Sequence, residues 1–293
     1  MRLEQIYDIA VRKGIAEDPR AKEKLKKIKN LFADTRILYG DRKKDIRTAM
    51  VGIDIGGEEL LTAYLLNEKG AGIDLAISHH PSGMGLLNLS SVMHVQTDIL
   101  ESLGVRRDVA KSLMKERIDE VSRSLMPRNA ERSVDIARLL DIPFMCIHTP
   151  ADNCVAHFIK KTVEKKKQKK VRDILNLLKK IPEYRDSTAK GVGVRLIAGK
   201  EKNAPGRIFV DMTGGTEGSK KIFARLSQAG VGTVIAMHLS EQHFKTAKAE
   251  FMNVIIAGHI ASDNLGLNLV LDELEKKEKL NIIPSSGFLR VKR

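Results

Sequence analysis

Three short stretches set imidazoles and carboxylates where a strand gives way to a loop or helix: His79-His80-Pro81, His148-Thr149-Pro150-Ala151-Asp152 and His259-Ile260-Ala261-Ser262-Asp263. Imidazole nitrogen and carboxylate oxygen are borderline-to-hard donors that suit zinc, iron or manganese. Adjacent residues leaving a strand point in opposite directions, so His79 and His80 are each expected to serve one ion. His259 and Asp263 lie four residues apart at the start of a helix, on one face. The stretch from His148 to Asp152 adds a carboxylate placed to bridge. One histidine after a strand is ordinarily a hydrogen-bonded loop residue. Three such clusters point instead to a centre of two divalent ions, to which these positions offer three or four imidazoles and two carboxylates.

Other chemistry is less well supported. His94, His157, His238 and His243 lack such company and read as structural, although His238 and His243 are spaced to line one cleft. A closed zinc site of Cys146, His148, Cys154 and His157 matches no common module, and Cys146 falls inside an apolar strand. The turn Thr213–Ser219 (TGGTEGS) has no Walker spacing and reads as a tight turn as readily as a phosphate cradle. No G-x-S-x-G nucleophile elbow occurs.

The elements that must position these residues alternate. Helices are expected over 3–32, then strand 49–55, helix 58–69, strand 73–78, helices through 91–140 and strand 144–147. A helix over 155–181 ends at Pro182. Strands 192–198, 208–212, 233–237 and 254–257 then alternate with helices 217–229, 241–251 and 263–275. This is the pattern of an α/β protein with mixed sheets covered by helices. The expected division is a helical N-terminal arm over 1–48, a first α/β lobe over 49–182 and a second over 183–293. Each histidine cluster follows a strand's carboxyl end, where α/β sheets bind ligands. No low-complexity segment or sequence repeat is apparent.

Composition narrows the class. Without Trp and with only four Tyr, the chain of 293 residues lacks the aromatic platforms that stack bases or sugars. Its net charge of +14 comes from 51 basic and 37 acidic residues interspersed along helices, the pattern of a solvated surface. The densest run, Glu164 to Lys170, offers an electrostatic contact to nucleic acid or to an anionic small-molecule substrate, but with no nucleic-acid motif a solvated helix is favoured over nucleic-acid recognition. The opening is amphipathic, so no signal peptide is expected, and no apolar run has membrane-spanning length. Two cysteines make no disulfide framework. A soluble, cytoplasmic protein without membrane contact is the expectation.

The stretches IDLAISHHP (73–81), IHTPADN (147–153) and SEQHFKTAKAEFMNVIIAGHIASDN (240–264) together resemble the Nif-three-like dinuclear metal-centre family, whose bacterial members are often labelled GTP cyclohydrolase type-two homologues. The resemblance covers about 45–155 and 190–275. It implies metal ligands at His79, His80, Asp152, His259 and Asp263 with His148 close beside them. It further implies two intertwined α/β lobes, the metal site between them, and a toroidal homo-hexamer. Asp263 stands where the family usually has Glu, and its shorter reach predicts a loosely held second ion. The function expected is metal-dependent hydrolysis of a phosphoester, nucleotide or related heterocycle, with Asp152 bridging and His148 assisting proton transfer as the catalytic side chain. The alternative is a non-enzymatic, ring-forming metal-binding or scaffold protein.

Overall fold

The computed structural model describes residues 1–165 and 168–293. Among the described residues, nine strands form two sheets. The first comprises β1 (Arg36–Tyr39), β2 (Thr48–Gly52), β3 (Leu75–Ser78), β4 (Phe144–Cys146) and β9 (Asn281–Pro284), in the order β1-β4-β3-β2-β9. The second comprises β5 (Arg195–Ala198), β6 (Arg207–Asp211), β7 (Val231–Ala236) and β8 (Asn253–Ile256), in the order β5-β8-β7-β6. Each sheet is parallel apart from one edge strand, β1 or β5, which runs antiparallel to its neighbour. The mixed-sheet α/β class read from the alternation is the class observed.

The compact units are not the contiguous lobes expected at 49–182 and 183–293. One unit joins Met1–Val92, Glu120–Cys154 and Asp263–Arg293, and the other joins Met93–Asp119 and Val155–Ser262. The cause is long-range pairing: β9 lies parallel to β2, with Thr48 opposite Asn281. The first 48 residues also differ from the expected arm. The helix Leu3–Ala16 buries Leu3, Ile6, Ile9 and Ala10, and the segment after it supplies β1.

Burial on both faces explains why β2, β3 and β4 read as continuous apolar runs. With a period of two, Ala49, Val51, Leu75, Ile77 and Met145 enter one core beside the helix Leu3–Ala16 and the helix His259–Glu275. Met50, Ala76 and Phe144 point the other way, into a core with Leu60 and Ala63 of the helix Gly57–Glu68 and Ala137 of the helix Arg132–Leu139.

The two sheets repeat one design. β1 to β4 and β5 to β8 share strand order and directions, and each antiparallel edge strand carries an irregularity at the corresponding place, Ile37/Tyr39 and Leu196/Ala198. In both, the strand beside that edge leads into a His-x-x-x-Asp stretch, His148 to Asp152 after β4 and His259 to Asp263 after β8. In place of one helix over 155–181 the chain forms Thr149–Glu164 and Val171–Leu178. Lys166 and Lys167 of the lysine run lie outside the described residues.

Candidate metal centre

Five of the residues singled out by sequence come together in the first unit. His79 and His80 leave β3 under backbone control, their N–H groups donating to Gly52 O at 3.0 Å and Ile53 O at 2.9 Å. His148 precedes the helix Thr149–Glu164, Asp152 lies in its first turn, and Asp263 lies one turn into the helix His259–Glu275. These two helices approach closely where Gly266 faces Ala151: a Cβ on Gly266 would meet Ala151 O at 2.5 Å. The missing side chain lets the turns bearing Asp152 and Asp263 draw together.

All three imidazoles are fixed through Nδ1. His79 Nδ1–H donates to Ile147 O at 3.0 Å, His80 Nδ1–H to Asp54 Oδ1 at 2.7 Å, and His148 Nδ1–H to Asp34 Oδ2 at 2.7 Å. Nε2 is thereby the atom turned toward the carboxylates. His79 Nε2 is 3.5 Å from Asp152 Oδ1 and 3.5 Å from Asp263 Oδ1; His80 Nε2 is 3.5 Å from Asp263 Oδ2; His148 Nε2 is 3.8 Å from Asp152 Oδ2. These separations are long for hydrogen bonds and approach the edge, roughly 3.4 Å, between donors about 2.1 Å from a tetrahedral ion.

The donor atoms fall into two sets, each within 4.8 Å: His79, His148 and Asp152, and His79, His80 and Asp263. His79 is common to both sets, whereas His148 and Asp152 belong to the first and His80 and Asp263 to the second. Asp263 faces two imidazoles directly despite its short side chain. The donor set fits a divalent ion: neutral imidazole nitrogens and carboxylates, with the remote ring nitrogens held by oxygens.

Burial and mutual charge shape the electrostatics. Burial opposes protonation of His148, but Asp152 and Asp34 outweigh it and lift the imidazole to about 9. Burial opposes a charge on His79 as well, and Asp263 and Asp152 raise it. Burial and the neighbouring His79 depress His80 to about 4. Burial pushes Asp152 up to about 6 against the pull of His148 and His79.

No family model and no curated protein matches the chain. Among solved structures, the crystal structure of a NIF3 superfamily protein from Sphaerobacter thermophilus aligns over 97% of this chain and 98% of its own, at a TM-score of 0.82 and 27% identity. The chain is NIF3-like. Two further structures share its fold: reduced HcgD from Methanocaldococcus jannaschii, at a TM-score of 0.57 and 14% identity over 97% of each chain, and the protein ybgI, at 0.51 and 13% over 98% of each chain.

In this NIF3-like chain His259 belongs to the second unit, where its ring lies 4.7 Å from that of His238. Glu217 stands 3.4 Å from His238 Nδ1 and 3.5 Å from His243 Nδ1. Burial works against its charge, yet these histidines and the Ser240 N–H bring Glu217 down to about 2. Both ring nitrogens of His243 are engaged, by Ser240 Oγ at 2.6 Å and Gly218 O at 2.9 Å. The turn Thr213–Ser219 is pinned from its carbonyl side, with Gln96 Nε2 donating to Gly214 O and Thr216 O, both at 2.7 Å. The glycines at 214 and 215 take φ of +105° and +83°, which fits a tight turn.

Neither cysteine belongs to a donor set among the described residues. Burial pushes Cys146 up to about 12 and raises Cys154 as well, so both stay protonated. The cysteine-containing zinc site weighed from the sequence has no support in these geometries. Sequence reasoning missed Asp34 and Asp54, the carboxylates behind His148 and His80. No local pattern marks them, because Asp34 meets His148 across 114 positions.

No helix among the described residues is long and apolar enough to cross a membrane.

Proposed function

We propose that this protein is a metal-dependent hydrolase whose centre in the first unit acts on a phosphoester, nucleotide or related heterocycle. The observation that carries the reading is the convergence of three Nε2 atoms on two carboxylates, with His79 in both donor sets. One nitrogen lone pair serves one ion at a time, so a two-ion centre gives His79 to one of them. Three nitrogens and four carboxylate oxygens do not fill two four-coordinate shells, which leaves at least one position for water or substrate. Zinc, manganese or iron bound there would supply Lewis acidity toward water and a phosphoryl or carbonyl oxygen.

The chain's own residues do the rest. His79, His80, Asp152 and Asp263 hold the cations and set their spacing. His148 serves as a ligand through Nε2, and its part in proton transfer is open only while that atom carries no ion. His80, with 28% of its side chain exposed against 1% for His79, marks where solvent reaches the cluster. The net charge of +14 favours an anionic substrate. The hexamer implied by the family resemblance belongs to the same proposal and is checked by light scattering.

The test is reconstitution of stripped protein with zinc, manganese or iron, followed by elemental analysis and assay against p-nitrophenyl phosphate and nucleoside triphosphates. Turnover that depends on metal and is lost in His79→Ala is the expected result. Metal uptake without turnover on any substrate would favour the second reading, a metal-binding protein without catalysis. What speaks for that reading is the burial of His79, His148, Asp152 and Asp263, each no more than 6% exposed.

A further inference from the structure

Asp34 lies just before β1 and is fully buried. Its Oδ2 accepts the Nδ1–H of His148 at 2.7 Å and the hydroxyl of Thr149 at 2.6 Å, while Oδ1 has no hydrogen-bond partner among the described residues. The same segment grips the loop twice more: Thr35 Oγ1 accepts the backbone N–H of His148 at 3.0 Å, and Asp34 O accepts the thiol of Cys146 at 3.3 Å. A buried carboxylate is costly unless it meets a matching group, and the ring it meets is His148. Thr149 alone would satisfy a purely structural acceptor. Bonding to Nδ1 does more, because it selects the tautomer with its lone pair on Nε2, holds the ring plane and makes Nε2 a stronger donor. Asp54 bears the same relation to His80, but its side chain is 68% exposed and screened by water.

We propose that Asp34 is a positioning residue for metal binding: by holding His148 as the Nδ1–H tautomer with Nε2 turned toward Asp152, it sets the affinity of the ion shared by His79, His148 and Asp152. This rests on the metal-binding reading above. Outer carboxylates of this kind are typically worth about 10- to 100-fold in affinity.

The test titrates zinc into stripped full-length protein against a chromophoric chelator, for wild type, Asp34→Asn, Asp34→Ala and Thr149→Val. Circular dichroism checks the fold, and ¹⁵N-histidine NMR of the zinc-loaded proteins reports the His148 nitrogens. Asp34→Asn retains size and an acceptor, so it is the informative variant if Asp34→Ala fails to fold. The expected result is zinc binding weakened by about 10-fold or more in Asp34→Asn, with the His148 Nδ1 signal shifted, the fold intact and Thr149→Val close to wild type. Equal affinity and unmoved His148 signals in Asp34→Asn would overturn the inference. So would a loss in Thr149→Val as large as that in Asp34→Asn, since disturbance of the pocket would then suffice. Wild-type protein that takes up no zinc would overturn the metal reading itself.

Discussion

A methyl group on Gly266 would sit 2.5 Å from the carbonyl oxygen of Ala151 and 2.9 Å from its carbonyl carbon. Ala151 precedes Asp152, and Gly266 follows Asp263 by three residues, so this contact governs how near the two carboxylates come. In an unconstrained helix interior Gly→Ala is stabilising by up to about 1 kcal/mol. Here the obstacle is backbone, which cannot swing aside. Gly266→Ala is therefore expected to destabilise by ~1–3 kcal/mol and to weaken metal binding without altering a ligand. Denaturant melts of stripped protein and zinc titration check both, and a stabilised variant with native affinity would show that the helices separate freely.

His79 belongs to both donor sets and His80 and His148 to one each. His79→Ala should accordingly weaken zinc binding by more than about 100-fold, beyond the range of outer residues, whereas His80→Ala and His148→Ala each retain one set. Elemental analysis after dialysis against limiting zinc ranks the three. Equal retention by all three would refute the shared role of His79.

Asp263 is 1% exposed and already 3.5 Å from both His79 and His80. The sequence alone suggested that a longer side chain would improve its reach. The geometry argues the opposite: both carboxylate oxygens already face imidazoles at 3.5 Å, so Asp263→Glu adds a methylene at a buried position with no reach to gain, with an expected loss of ~1–3 kcal/mol in stability and no gain in affinity. Asp263→Asn keeps the volume and loses the charge, so it should weaken binding while leaving the melting temperature of stripped protein nearly unchanged. Calorimetry on both variants separates reach from charge.

The pH dependence follows from His148. Its folded value of about 9 lies above the ordinary 6.5, so its contribution to the stability of stripped protein is complete below pH 6.5 and is lost as pH rises toward about 9. Asp152, raised to about 6, acts in the same direction, its contribution being lost as pH rises through about 6. A bound cation replaces the proton and binds better as protons become scarce. The gap in melting temperature between zinc-loaded and chelator-treated protein should thus widen between pH 6.5 and 9. A gap that narrows over this interval would exclude His148 as a ligand.

What the sequence disclosed and what it hid follow one physical line. His79, His80, His148, Asp152 and Asp263 were legible because each stands directly after a buried, strongly apolar strand or in the helix turn that follows. β1 and β9 escaped because RILY and NIIP are short, partly exposed edge strands, and Pro284 belongs to sheet edges. The expected helix over 217–229 begins only at Ile222, because Glu217 and Gly218 are engaged by His238, His243 and the Ser240 backbone. The repeat was invisible because it resides in strand order and direction, which residue-by-residue similarity does not encode. Asp34 and Asp54 act only through distant histidines.

The pairing of β9 with β2 also dictates a sequence of events. A nascent chain that has completed β2, β3 and β4 still displays the open side of β2, with Ala49 and Val51 buried only in the finished protein. At ordinary rates of synthesis the interval before Pro284 emerges lasts on the order of ten seconds or more. Through that time the edge is open to pairing with another chain. The first unit should therefore be the late-folding, aggregation-prone part of the molecule in the cell, and the one most dependent on chaperones.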